Sequence, residues 1–292
     1  MKPTPTMSDQ GTIARTATAA VTAHAVHVPG ADGDDALPGA LRVPACSAEQ
    51  AHELLGRKGL LGKDEATRLA LCAVHRALGR PPRAPRPDHP ADPATAVVVA
   101  SNLGNTATVA RIAAEARERG ARSVSPLDAP TASSNVIAGA VAIWFRYGGP
   151  NLTLCSGATA GMDAIWLGCL LLRSGRAEQV VVVGVEPGDP VAAALHANRA
   201  GAVPGIPLRA AAACLVLRSA PAAPGAQAVL ELSADPVDVG DGAPVKELGD
   251  TYGAAGVLRT ALAVAELEPG GRTRVICGDR VDGGRELWVG RV

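Results

Sequence analysis

The chain has 292 residues, enough for one large domain or two that share a core, and 47% of them are apolar but only 2% aromatic. Its 28 basic and 28 acidic residues cancel to zero, which excludes the electrostatic footprint of a nucleic-acid or anionic-membrane binder. No uncharged apolar run reaches the roughly 18–20 residues of a membrane span. The core must therefore come from Ala, Val, Leu and Ile, which favours close, layered α/β packing. A chain with no net charge also resists association weakly, which mildly favours a protein partner.

The first twelve residues, MKPTPTMSDQGT, are polar and lack an apolar targeting region, so a disordered tail (1–12) on a cytoplasmic protein is expected. A short alternating stretch in 12–28 predicts a first strand, 29–45 a loop, and 48–56 a helical segment. Residues 64–79 read as an amphipathic helix with an acidic first turn and a terminal glycine. The six prolines of 80–93 exclude helix and central strand. Ala96–Ala100 predicts a buried strand, and Ser101-Asn102-Leu103-Gly104-Asn105 opens a helix through 119. An irregular loop, 124–135, precedes a helix at 136–146 and a strand at 151–155.

That strand leads into the organising stretch, Leu152 to Leu172, in which a strand meets a turn of small residues and then an apolar helix. This is how α/β enzymes present a nucleophile, with a helix N-terminus behind it. Here the turn reads Ser156-Gly157-Ala158-Thr159-Ala160-Gly161, with a methyl group at its centre.

Further strands are expected at 179–185 and 210–218, with 186–209 a loop holding one short helix. The Ala/Pro/Gly segment 219–226 is the best boundary, dividing the chain into 13–219 and 227–292. Beyond it come a strand (228–232), a loop (233–245), an Ala-rich helix (251–267) and closing strands at 273–277 and 286–292. The order helix, strand, strand occurs once in each part, which suggests two related halves around one core.

The six cysteines have no CxxC spacing and read as buried free thiols in a reducing compartment. Cys155, on the strand before the elbow, is expected to point into the sheet or a subunit interface. Ser156 and Thr159 have no histidine near them in sequence; His196, in the later loop, is the one histidine placed to approach the elbow. There is no GxGxxG, P-loop or metal-ligand spacing, so neither cofactor nor metal is expected.

The pattern resembles the β-ketoacyl synthases of the thiolase superfamily, from about Gly59 to Arg218 and again from about Lys246 to the end. Ser125-Pro126, Asn135, Ala138-Gly139 and Gly149-Pro150 stand at family spacing before the elbow. Gly249-Asp250-Thr251-Tyr252-Gly253-Ala254-Ala255-Gly256 resembles the family's G-H-T-x-G-A-A-G, and Asp282-Gly283-Gly284 the end of its F-G-F-G-G loop. The resemblance implies a layered αβαβα fold of two related halves, the C-terminal one reduced. It puts the family's catalytic Cys on Ala158, its second His on Asp250 and its gating Phe on Asp282, while Lys246 is a possible remnant of the family Lys. The first His segment is missing. A methyl cannot hold an acyl group, and a carboxylate cannot donate a hydrogen bond to an enolate.

The family also contains paralogues without the Cys, the chain length factors of type II polyketide synthases. The resemblance thus implies a non-catalytic subunit paired with an active ketosynthase, with acyl-carrier protein engaged mainly through that partner. Asn151, Leu152, Thr153, Leu154 and Cys155 would form the dimer seam, and Leu127, Asp128, Ala129 and Thr131 would sit at the end of the acyl tunnel. The short second half points to the subgroup making reduced, polyene-type chains rather than aromatic products. Two alternatives stand beside this reading: a thiolase-fold acyltransferase or cyclase with another catalytic residue, and a scaffold for partner and carrier protein.

Overall fold

The computed structural model describes residues 16–292 apart from 34, 36, 221–222, 234 and 240–247, so the expected tail and Lys246 lie outside the described residues. Valine runs set the centre of the fold. Strands β2 (Thr95–Ala100), β3 (Asn151–Leu154) and β4 (Gln179–Glu186) are parallel, and β5 (Ala211–Arg218) and β1 (Thr16–His27) continue the sheet antiparallel. Parallel strands covered on both faces read as continuous apolar runs, as β2 and β4 do. Along β4, Val181, Val183 and Val185 face one apolar cluster, and Val180 and Val182 face the other.

The first cluster is closed by helices α1 (Ala51–Leu55), α2 (Glu65–Ala77) and α4 (Val136–Phe145). Asp64 caps α2 by accepting from the Thr67 N–H at 2.7 Å. The second is closed by α5 (Ala160–Arg173) and α7 (Ala255–Glu266). Strands β6 (Ala228–Ser233), β7 (Arg272–Asp279) and β8 (Gly283–Arg291) lie on the far side of α5 and α7, with Leu230, Leu287, Val289 and Val275 turned inward. Helices α3 (Thr106–Arg119) and α6 (Pro190–Ala197) complete the chain.

The first strand is longer than the short stretch expected. Its Thr16–Val21 part pairs with β6, its Ala20–His27 part with β5, and the register shifts between Val21 and Ala23. One strand thus serves both halves, and the sheet runs β3-β2-β4-β5-β1-β6-β8-β7. Hydrogen bonding to both neighbours, rather than its own weak alternation, carries it to twelve residues.

The layers follow the order helix, sheet, helix, sheet. The reduction of the second half falls on the last helical layer. Among the described residues no helix packs on the outer face of β6-β8-β7. That face carries the ion pairs Arg272–Glu231 and Arg274–Glu286, with Arg272 over the Trp288 ring at 4.8 Å. In β7 and β8 the apolar Val275, Leu287 and Val289 turn inward, while Arg272, Arg274 and Glu286 share the outer face with Ile276 and Trp288, as in a sheet with one wet face.

Both α5 and α7 open through one turn of 3-10 helix, Gly157–Thr159 and Tyr252–Ala254, the duplicated order expected of related halves. They cross where Gly161 meets Gly256. A Cβ on Gly256 would stand 2.6 Å from the Met162 nitrogen, so only bare backbones fit. Gly256→Ala should therefore lower stability by about 1–3 kcal/mol. Gly139→Ala, in α4 with nothing within 4 Å of the new methyl, should raise it by about 0.5–1 kcal/mol. Denaturant unfolding of the two variants checks the contrast.

Candidate functional site: an elbow without a thiol

The elbow has the expected strand, tight turn and helix. Gly157 takes φ +68, a conformation glycine reaches without cost, and the chain turns there into α5. Asn102 fixes the turn from the end of β2. Its Oδ1 accepts from the Gly157 N–H at 2.9 Å, and its Nδ2 donates to the Gly157 carbonyl at 2.9 Å. Asn102 is in turn held by Glu186, the last residue of β4. That carboxyl accepts from the N–H groups of Asn102 (2.8 Å) and Leu103 (3.0 Å). Glu186 is fully buried, and desolvation raises its pKa to about 7 against the opposing effect of these donors.

At the tip, Ala158 is buried, and its N–H donates to Asp282 Oδ2 at 2.8 Å. An amide at this place, at the head of a helix, is a ready donor for an anion. Here the anion is the protein's own carboxylate, and a side chain on Gly157 would collide with it. The Ala158 carbonyl accepts from the buried Cys277 thiol at 3.0 Å. The Ser156 and Thr159 hydroxyls both donate to the Asp163 carboxylate, at 2.6 and 2.8 Å, rather than to a histidine.

Asp250 lies at the mouth of the second elbow. His196 Nε2 and Arg199 donate to its Oδ2 at 2.8 and 2.9 Å, and the Tyr252 N–H donates to its Oδ1 at 2.8 Å. Arg199 also pairs with Asp279 and stacks 4.2 Å over the Tyr252 ring. Burial alone would raise the Asp250 carboxyl, but the hydrogen bonds from His196, the Tyr252 amide and Arg199 outweigh it and hold the pKa down at about 2. His196 lies in α6 rather than in a loop, with Asp189 capping the helix through Val191 and Ala192 and Pro190 at its first turn.

Ala158, Asp250, Arg199 and Cys277 line a cavity of about 420 Å³, walled by Leu258 and Leu262 of α7. The structure thus brings Ala158, Asp250 and Asp282 to one place. Cys155 is an exception to the buried-thiol reading. It follows the last residue of β3, is exposed, and opens on a cleft shared with Gly157, His196 and Asp282. Its thiol donates to the Ser101 carbonyl at 3.1 Å, and desolvation raises its pKa, so it is no poised nucleophile. Cys46 is half-buried, a second exception to the buried-thiol reading.

The residues expected at a seam and tunnel form a second group, on the outer edge. Asn135 ties loop to strand: its Nδ2 donates to Asn151 (2.6 Å) and its Oδ1 accepts from Thr153 (2.8 Å). Asn105 Nδ2 bridges the carbonyls of Thr131 and Ser133. Asp128 pairs with Arg111 at 3.2 Å, while Leu127 and Ala129 are exposed. Asn102, Glu186 and Arg199 were not singled out from the sequence. The one available sign was a carboxylate ending an otherwise apolar strand, QVVVVGVE.

The two halves of one eight-stranded sheet, layered with helices and meeting at paired elbows, define a thiolase-like fold. A family model described as "Beta-ketoacyl synthase, N-terminal domain" matches residues 55–210, more than half of the sequence, and the chain belongs to the β-ketoacyl synthase family. No curated protein matches the sequence. Among solved structures the chain is similar to one described as the ishigamide ketosynthase/chain length factor, at 22% identity and TM-score 0.72, over 94% of this chain and 99% of that one. It is also similar to the ketosynthase ApeO in complex with its chain length factor ApeC from Xenorhabdus doucetiae, at 15% identity and TM-score 0.57, over 93% and 98%. A third is a β-ketoacyl synthase from Burkholderia phymatum STM815, at 14% identity and TM-score 0.64, over 95% and 99%. At these identities the likeness is one of fold.

Two predictions follow from this geometry. Ala158→Cys alone should give no acyl adduct by intact-mass analysis with an acyl-carrier thioester, since Asp282 occupies the amide and Asp250 places a carboxylate at the second elbow. The Asp250 pKa is depressed on folding, so the stability it confers is complete above roughly pH 4 and lost as the pH falls toward about 2. Asp250→Asn should cost about 1–3 kcal/mol at neutral pH and flatten that acid limb in urea unfolding.

Proposed function

We propose that this chain is the non-catalytic, chain length factor-like member of a heterodimer with an active ketosynthase, and shapes the end of that partner's acyl tunnel. The observation that carries this reading is an elbow kept in full geometry with no thiol, its amide taken by Asp282. Selection for catalysis does not explain such an elbow; selection for the surface beside it does.

That surface supports the reading. β3 is the edge strand of the sheet, bonded only to β2 among the described residues. An edge strand offers free backbone groups to another chain, and a two-fold axis would pair it antiparallel with its counterpart. Leu152, Ile143, Leu127 and Val109 are exposed apolar side chains on the strand, α4, the loop and α3, and α3 itself buries none of its residues. Loop 124–135 stands outward on the same edge, with Leu127, Asp128, Ala129 and Thr131 where a segment reaching a partner's tunnel would begin. The printed names of two similar structures pair a ketosynthase with a chain length factor. Acyl-carrier protein would then meet the complex mainly through the ketosynthase, in the cytoplasm, on a pathway to reduced, polyene-type products.

Co-expression with an active ketosynthase from the same genome tests the proposal. Stable co-elution is expected, abolished by Leu152→Arg in the seam. Tryptophan at Leu127, Asp128 or Thr131 should shorten the products without breaking the complex. A stable homodimer, with the ketosynthase fully active and its products unchanged in length without this chain, would sink the heterodimer. Unchanged product length with an intact complex would leave a scaffold in place of a tunnel subunit.

A further inference from the structure

The fold brings together three metal-competent side chains that the sequence keeps far apart. His27 ends β1, Cys46 lies in the loop before α1, and Cys72 sits in the middle of α2. One ring nitrogen of His27 and the two sulfurs all lie within 4.8 Å of one another. His27 Nε2 is 4.0 Å from Cys46 Sγ. Tetrahedral zinc with bonds of about 2.3 Å to sulfur and 2.0–2.1 Å to nitrogen sets its ligand atoms roughly 3.5–3.8 Å apart. Closing the cluster on an ion therefore needs movements of about an ångström or less in two sulfurs and a ring. Among the described residues this is the one such group of His, Cys, Asp or Glu side chains.

His27 is fully buried, and Nε2, the nitrogen 4.0 Å from the Cys46 thiol, also lies 3.0 Å from the Cys46 carbonyl. A metal bond at Nε2 would take the place of that contact. Nδ1 is buried with no partner, and buried polar atoms without partners are rare and call for an explanation. Cys72 is fully buried and Cys46 half-buried, so the cluster reaches solvent on the Cys46 side only. The loop carrying Cys46 is held in place independently, since Arg76 of α2 donates to the Pro44 carbonyl.

We propose that His27, Cys46 and Cys72 form a zinc site, with water in the fourth position on the exposed side of Cys46. Two thiolates and a neutral imidazole suit a borderline-soft divalent ion. The site would pin the 43–50 loop and the end of β1 to α2, closing the helical layer over the first core cluster. It lies apart from the elbow and stands whether or not the proposed pairing with a ketosynthase holds.

The test uses the full chain, purified without a histidine tag, and zinc as the probe. One equivalent of zinc by elemental mass spectrometry, retained through gel filtration, is expected. Adding zinc to chelator-stripped protein should raise the Tm by several degrees and protect Cys46 from thiol reagents. Cys46→Ser, at a half-buried loop position, should fold and lose the zinc and the Tm response. Cys72→Ala and His27→Ala should do the same where they fold. A stripped chain whose Tm does not respond to zinc would overturn the site. So would zinc retained by Cys46→Ser, or a Cys46–Cys72 disulfide in the metal-free chain.

Discussion

The hydrogen bond from the Ala158 amide to the Asp282 carboxylate joins the two halves of the molecule at their functional centre. Ala158 heads α5, from the first half, and Asp282 stands in the turn between β7 and β8, from the second. The bond satisfies an N–H that a helix N-terminus leaves without an intrahelical partner. A carboxylate near that end is further favoured by the helix dipole. The turn carrying Asp282 is itself organised by Asp279, whose Oδ1 accepts from the N–H groups of Val281 (2.8 Å) and Asp282 (2.7 Å). Asp279 also pairs with Arg199, which pairs with Asp250, which receives His196. A continuous chain of charge-assisted bonds thus runs from one elbow to the other.

Glycine contact makes that chain possible. Where Gly161 and Gly256 cross, the two helices approach to backbone distance, and their first turns are held side by side. Any side chain at either place would push the helices apart by the width of a methyl and lengthen the bonds of the network. Asn102 and Glu186 then brace the first elbow from beneath. The buried carboxylate of Glu186 carries a real desolvation cost, which the N–H groups at the end of β2 only partly offset, and its raised pKa is the record of that balance. Retaining such a group is understandable where it fixes a turn's geometry, since Asn102 reaches Gly157 only while Glu186 holds its backbone.

The sequence made legible what depends on local order. Valine runs located β2 and β4, small residues located the elbow, and the repeated turn-helix unit indicated related halves. Ala158 stood out because the elbow pattern names the position whose side chain matters. What stayed hidden depends on contacts distant in sequence. Asp250 is held by His196 and Arg199, and the partner of the Ala158 amide is Asp282, all far along the chain. No period or spacing encodes those meetings. The same holds for His27, Cys46 and Cys72, which share no short motif and meet only because β1 ends against α2. The exposure of Cys155 has a related cause: strand pairing stops at Leu154, so period-two alternation does not decide which way its thiol points.

The electrostatics of the site accord with the proposed non-catalytic reading. A condensing site must attract anions, the oxyanion of acyl transfer and the enolate of decarboxylation, and needs donors aimed at both. Here three aspartates, 250, 279 and 282, surround the two elbows, and Arg199 is already shared between two of them. The amide that would receive an oxyanion is bonded, and the group at the second His position accepts hydrogen bonds rather than donating them. The same carboxylates make the region rigid, since each is tied to backbone N–H groups or to a neighbouring cation. Fixed internal carboxylates on the Ala158 and Tyr252 amides stabilise both elbows by themselves. The edge strand and loop that hang from the first elbow are then held in position without any bound substrate.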